Sequence, residues 1–203
     1  MGVILLNMSM SLDGFIAGPG VDVDRPMGEG GERLHEWLFQ GDSDRAVAAD
    51  GNSPNGVDAQ VAREFATATG AVVIGKRMFD VGVGLWGDTP FPVPSFVLTH
   101  EAREQLVMKS AAFTFVTDGI DSAVRQAQAA AGDKDVLVMG GASIAQECLR
   151  AGIVDEIQIQ LVPVLLGAGT RLFDHLSPGH IELERTRLIE SPHVTHLRFR
   201  VVT

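Results

Sequence analysis

Short apolar runs bounded by turn-forming residues recur along the whole chain and alternate with stretches in which apolar positions return at helical spacing. Strand-like and helix-like periods in alternation predict an α/β fold with a mostly parallel sheet and crossover helices. Strands are expected at Val3–Met8, Ala71–Gly75, Ser95–Thr99, Phe113–Thr117, Val136–Met139 and Asp155–Val162, with two more at Ile181–Leu188 and Val194–Val202. Helices are expected at Glu32–Phe39, Val57–Thr69, Arg77–Val81, Ile120–Ala131 and Ser143–Ala151. Gly70, Gly132 and Gly152 each follow a helical stretch, where a left-handed residue closes the last turn.

Two regions break the periodicity. Residues 17–31 and 41–56 are rich in Gly, Pro, Asp, Asn and Ser and read as long loops, either binding loops or plain surface insertions. In Asp155–Val162, Ile157, Ile159 and Leu161 alternate with Glu156, Gln158 and Gln160, which predicts one covered and one wetter face. The final stretch alternates as well. The turn residues Glu190–His193 fold it into an antiparallel hairpin that closes a mixed sheet. A single domain over residues 1–203 accommodates all of this.

Composition narrows the class. A 45% hydrophobic content supports a sizeable core, and a formal charge of −10 disfavours nucleic acid as a partner. No apolar run reaches the roughly 18 residues of a membrane helix, and the apolar start has no basic segment before it, so a cytoplasmic protein without membrane attachment is expected. The lone Cys148 reads as a buried, inert thiol. His193 and His196, with His175 and His180 nearby, have no ligand spacing, so no metal is expected and a solvated turn is the reading.

Three strand ends carry the candidate chemistry. They are Gly75–Lys76–Arg77, Thr99–His100 and the run Gly140, Gly141, Ala142, Ser143, Ile144. In open α/β sheets, ligands bind outside the carboxyl ends of the strands, and free N–H groups at helix starts favour phosphate. Glycine backbone can approach a pyrophosphate, and Lys76, Arg77 and His100 can hold a further phosphate, which would favour NADPH over NADH. Gly82-Val-Gly84-Leu-Trp-Gly87 has the letters of a dinucleotide fingerprint, but it follows a helical segment and leads into Asp-Thr-Pro, so it is rejected. Asp13, just past the first strand, either caps a turn or faces a ligand. Trp37, beside the long loops, and Trp86, in a Gly-rich stretch, are candidate walls of a planar-substrate pocket. No nucleophile elbow or catalytic triad is legible.

The opening MSLDGFIAG, the turn AVVIGKRMF and the block VMGGASIAQECLRAGIVDEIQIQLVPVLLGAGTRLF resemble the dihydrofolate-reductase-like superfamily. Within it they look most like small bacterial proteins similar to the reductase domain of the bifunctional riboflavin-biosynthesis deaminase-reductase. The resemblance covers nearly the whole chain. It implies a central mixed sheet flanked by helices, NADPH in an extended groove and hydride transfer to a small heterocyclic substrate. The nicotinamide is then expected near Ser9, Ile16 and Ala17, the adenosine side near Gly75, Lys76, Arg77, Thr99 and His100, and the phosphates at the Gly140–Ile144 turn. It also implies a cis Gly140–Gly141 peptide and a homodimer, for which the terminal strands leave a sheet edge.

Some positions depart from the family pattern. Met78 stands where dihydrofolate reductases usually have a phosphate-binding threonine, and the counterpart of their early-helix carboxylate is Glu36. Met139 replaces the glutamate that typically precedes the Gly-Gly pair in the riboflavin-pathway reductases. The expected function is reduction of a heterocycle resembling 5-amino-6-(5-phosphoribosylamino)uracil, with dihydrofolate reduction or nucleotide binding without turnover as the alternatives. Asp13 and Glu36 are the candidate proton donors.

Overall fold

The computed structural model describes residues 2–38, 56–176 and 179–202. The elements follow as β1 (Ile4–Ser11), β2 (Phe15–Ala17), α1 (Val57–Ala68), β3 (Thr69–Gly75), α2 (Lys76–Trp86), β4 (Ser95–Leu98) and β5 (Leu106–Val107). Then come β6 (Ala112–Val116), α3 (Ile120–Ala131), β7 (Asp135–Gly140), α4 (Ala142–Arg150), β8 (Glu156–Val162), β9 (Thr170–Arg171), β10 (Glu182–Glu190) and β11 (Thr195–Val202). Nine strands form one sheet in the order β10-β11-β8-β1-β7-β3-β4-β6-β5, and β2 pairs with β9 in a separate ribbon. The six strands from β8 to β6 run parallel, while β5 and the β10–β11 hairpin are antiparallel.

The strand order dictates where the helices go. From β1 to β3 and on to β4 the chain moves one way across the sheet; from β6 to β7 and on to β8 it moves back. Parallel crossovers are right-handed, so the two directions place their helices on opposite faces. The cores agree with this. Ile4, Leu6, Met8, Val73 and Val138 pack with α3 and α4, whereas Leu5, Val72, Ile74 and Leu137 pack with Phe79 of α2. Because β1, β3 and β7 are covered on both sides, their residues are apolar in succession rather than in alternation. Ala123, Ala127 and Ala131 let α3 lie close to the sheet. The start of β1 is pinned by two carboxylates: Asp135 accepts from the Val3 N–H at 2.9 Å and Asp155 from the Ile4 N–H at 2.7 Å.

Several expectations need correction. Glu32–Phe39 is not an α-helix: the chain forms two 3₁₀ turns, Gly31–Leu34 and Glu36–Leu38, broken at His35. The two buried anchors, Leu34 and Trp37, are three residues apart, which matches the three-residue turn of a 3₁₀ helix. Phe39 and the expected loop over residues 41–55 lie outside the described residues. Helix α2 does not stop at Val81 but runs to Trp86 and ends at Gly87 in a left-handed conformation. The rejected glycine fingerprint is therefore mostly helix. Gly82 is needed there, because a Cβ would collide with the Trp86 ring. Gly132 and Gly152 are left-handed as expected, with φ of 63° and 67°. Gly70 instead belongs to β3, where a Cβ would meet Ala131 and Lys134. The wetter face expected for β8 is absent: Gln158 and Gln160 are buried.

Candidate active site

At the centre of the sheet β3 and β7 lie side by side and parallel, yet the chain leaves them toward opposite faces. Beyond Gly75 it enters α2 on one face, and beyond Gly140–Gly141 it enters α4 on the other. Such a switch point opens a crevice at the carboxyl ends of the strands. Gly75 and Gly141 occupy the N-cap positions of α2 and α4, and neither helix start has a side-chain cap. The first-turn N–H groups thus offer donors suited to an anion. The glycines have packing roles too. A Cβ at Gly75 would lie 2.8 Å from Ile144, and one at Gly140, whose φ is 118°, would lie 2.7 Å from the Met8 methyl. The Gly140–Gly141 peptide is cis.

The three expected strand ends lie at the same carboxyl edge of the neighbouring parallel strands β7, β3 and β4. Lys76 and Arg77 open α2, the buried Thr99 and the exposed His100 follow the neighbouring β4, and Ala142, Ser143 and Ile144 form the first turn of α4. Ser143 is exposed. Thr99 is not free: its hydroxyl accepts from the Glu101 N–H at 3.1 Å. Arg77 donates to the Val21 carbonyl at 3.2 Å, which ties the 17–31 loop to the start of α2.

Ser9 lies on β1, next to β7, and Ile16 and Ala17 lie on β2. Ser9 belongs to a row that crosses three strands in register, Ser9 on β1, Gln160 on β8 and His196 on β11. All three are buried, at 8, 2 and 3% exposure. Trp37 covers the row: its indole N–H donates to the Ser9 hydroxyl at 3.0 Å and its ring meets the His196 ring edge-on, with centroids 5.1 Å apart. His196 Nε2 is 2.9 Å from the Asp58 carboxylate, in the first turn of α1, and Asp58 also accepts from the Ser191 hydroxyl at 2.9 Å. His196 Nδ1 is buried without a partner. One strand position below, Gln158 is 5% exposed and its amide makes no hydrogen bond to the described residues. Asn7, beside it, accepts from Gln160 at 2.8 Å.

This polar row was not found by sequence reading. His196 is no solvated turn residue; it is held inside the sheet by Asp58, while His193 alone occupies the exposed turn. The available signal was the alternation in β8 and β11, which aims His196 to the same side as Gln158 and Gln160. Asp58, in the first turn of the helix leading into β3, is the carboxylate that reaches this row. Glu36 instead sits on a 3₁₀ turn, half-buried and ion-paired with Arg33.

Two other candidates change role. Asp13 is a clamp: it accepts from the Ser11 hydroxyl at 2.6 Å and from the Leu166 and Gly167 N–H groups at 3.1 and 2.7 Å. The Ser11 bond first, and then the two backbone donors, hold its carboxyl down to about 2 against some desolvation. A group so acidic has no proton to donate near neutrality. Arg171, from β9, completes the clamp by donating to the Asp13 carbonyl at 2.8 Å and lying over the Phe15 ring. Trp86 does not line a loop pocket. It sits at the far end of α2, about 15 Å along the helix from Lys76, and stacks on Phe113 with centroids 6.3 Å apart. Cys148 is buried, and its thiol is pushed up to about 12, chiefly by desolvation. Among the described residues no cluster of His, Cys, Asp and Glu could hold a metal ion, and no helix is long and apolar enough to cross a membrane.

Three comparisons place this architecture. The Bacillus subtilis uncharacterized protein YyaP is 25% identical over 201 residues, covering 93% of this chain and 89% of its own. The Thermotoga maritima diaminohydroxyphosphoribosylaminopyrimidine deaminase/5-amino-6-(5-phosphoribosylamino)uracil reductase superposes with a TM-score of 0.66 at 12% identity, over 99% of this chain and 57% of that one. The dihydrofolate reductase of Enterococcus faecalis, solved with NADP(H), superposes with a TM-score of 0.57 at 12% identity, over 100 and 98% of the two chains. The fold is therefore dihydrofolate-reductase-like. Since the sequence model of the RibD C-terminal domain also matches residues 3–196, the chain belongs to the RibD C-terminal domain family.

Proposed function

We propose that the chain is an NADPH-dependent reductase of a small heterocycle of the 5-amino-6-(5-phosphoribosylamino)uracil type. The observation that carries this reading is the switch point between β3 and β7, where two uncapped helices start on opposite faces of the sheet. The dinucleotide would supply the hydride. Gly75, Gly140, Gly141 and Ser143 would hold its phosphates through bare backbone and a hydroxyl, and Ser9, Ile16 and Ala17 would border the nicotinamide. Trp37 and the row beneath it suit a flat substrate rich in amide and carbonyl edges, because Ser9, Gln160 and Gln158 offer donors and acceptors within a largely apolar wall. The site's carboxylate is Asp58, oriented by His196 and Ser191. The Asp13 clamp favours its ionised form, so Glu36 or water is the proton source we favour.

The deciding assay follows loss of NADPH absorbance with 5-amino-6-(5-phosphoribosylamino)uracil and, in parallel, with dihydrofolate. Turnover of the first supports the proposal and turnover of dihydrofolate alone replaces its substrate. Saturable binding without turnover of either leaves a nucleotide-binding module.

We place this activity in the cytoplasm, where the buried, unpaired Cys148 suits a reducing compartment. The partner we propose is a second copy of the chain, docked on the outer hairpin. Ile181, Leu183 and Leu188 are exposed there. Arg185 and Glu190 lie on the same face as Leu183 and Leu188, at either side of Leu188, and make no ion pair with the described residues. A two-fold axis near Leu188 would set each against its opposite in the other copy. Light scattering at micromolar concentration should give twice the 21.6 kDa chain mass, and a monomer overturns the pairing.

A further inference from the structure

The basic cluster at the start of α2 is where a dinucleotide carrying an extra ribose phosphate would be told from one without it, but the cluster is not free. The Lys76 ammonium lies 2.6 Å from the Asp80 carboxylate, one turn along the same helix. It also lies 4.0 Å from the carboxylate of Glu101, in the turn that follows β4. That turn is fixed by the bond from the Glu101 N–H to Thr99, at the end of the strand beside β3. Arg77 is engaged with the Val21 carbonyl but keeps its charge. The carboxylates of Asp80 and Glu101 thus offset the Lys76 charge, while Arg103 adds a cation over the Phe79 ring of the same helix.

We infer that Glu101 is a specificity-determining residue for the dinucleotide, holding down the preference for the 2′-phosphorylated form by competing for Lys76 and repelling the phosphate. This rests on the crevice being the dinucleotide groove. Asp80 bonds within its own helix and acts in the same direction, but it belongs to α2 itself. Glu101 reaches in from another element and its side chain is 71% exposed, so it can be changed without disturbing the core.

In water-like surroundings the repulsion between one carboxylate charge and a phosphate of nearly two charges, taken at a separation of about 8 Å, amounts to roughly fivefold in binding. The test is titration of the full chain with NADPH and with NADH, read by tryptophan fluorescence, for the wild type, Glu101→Gln and Glu101→Lys. Glu101→Gln should tighten NADPH roughly fivefold and leave NADH within about twofold, Glu101→Lys should tighten NADPH further, and both gains should shrink in high salt. An unchanged ratio of the two affinities, or equal tightening of both, overturns the role of Glu101 while leaving the groove intact. Absence of saturable binding to either dinucleotide in all three proteins overturns the groove itself.

Discussion

The two halves of one sheet face differ sharply. Under α2, Leu5, Val72, Ile74, Val97 and Leu137 present only hydrocarbon and pack against Phe79 and Phe113. Under α1 and Trp37, a few strands away, Ser9, Gln158, Gln160 and His196 are equally buried and polar. The first half holds the sheet together; the second makes hydrogen bonds that hydrocarbon of similar volume would not need. Buried polar groups cost desolvation unless they are paired, and the buried His196 Nδ1 has bonding capacity that the described residues leave unused.

Four outcomes break or sharpen this contrast. The largest effect is expected in the apolar half. Leu137→Ala should lower unfolding free energy by about 2–5 kcal/mol in urea titration, because both neighbouring strands hold the cavity open; a loss well under that range would show the apolar half to be loosely packed. Asp58→Ala should cost about 1–3 kcal/mol by removing the partner of His196 and Ser191, and should also abolish or strongly reduce turnover. Full turnover in that variant would remove Asp58 from the site.

A smaller effect concerns Asp13. Its folded pKa of about 2 lies below the ordinary 3.8, so the clamp's contribution is complete well above 3.8 and is lost as pH falls from 3.8 through about 2. Asp13→Asn should therefore flatten the acid limb of the stability curve over that window, and an unchanged limb would mean the clamp contributes nothing. The smallest stability change is expected for Asn7→Leu combined with Gln160→Leu. Replacing both members of this part-buried pair by apolar groups should stay within about 1 kcal/mol of the wild type, while substrate affinity falls. Retained affinity would make the polar half structural.

Much of this was legible in the sequence because it rests on local signals. β3 and β7 are near-continuous apolar runs ending in glycine, so both the strands and the crevice residues Gly75 and Gly140 could be placed from neighbouring letters. β2, β5 and β9, two or three residues each, were invisible, since pairing rather than pattern creates them. The extent of α2 was hidden because its glycines look like loop until Gly82 is seen beneath the Trp86 ring. The polar row escaped for a different reason. Ser9, Asp58, Gln160 and His196 come from four distant segments and meet only through strand register and the docking of α1, so no spacing along the chain announces them.

The sheet order has a consequence for how the molecule is made. β1 is synthesised first, yet both its neighbours arrive late: the Val3 bond to Asp135 spans 132 residues and the Ile4 bond to Asp155 spans 151. As the chain leaves the ribosome, β1 must wait with both edges unpaired until β7 and β8 emerge. Nascent chains stopped before residue 156 should therefore be chaperone clients whatever the stability of the finished protein.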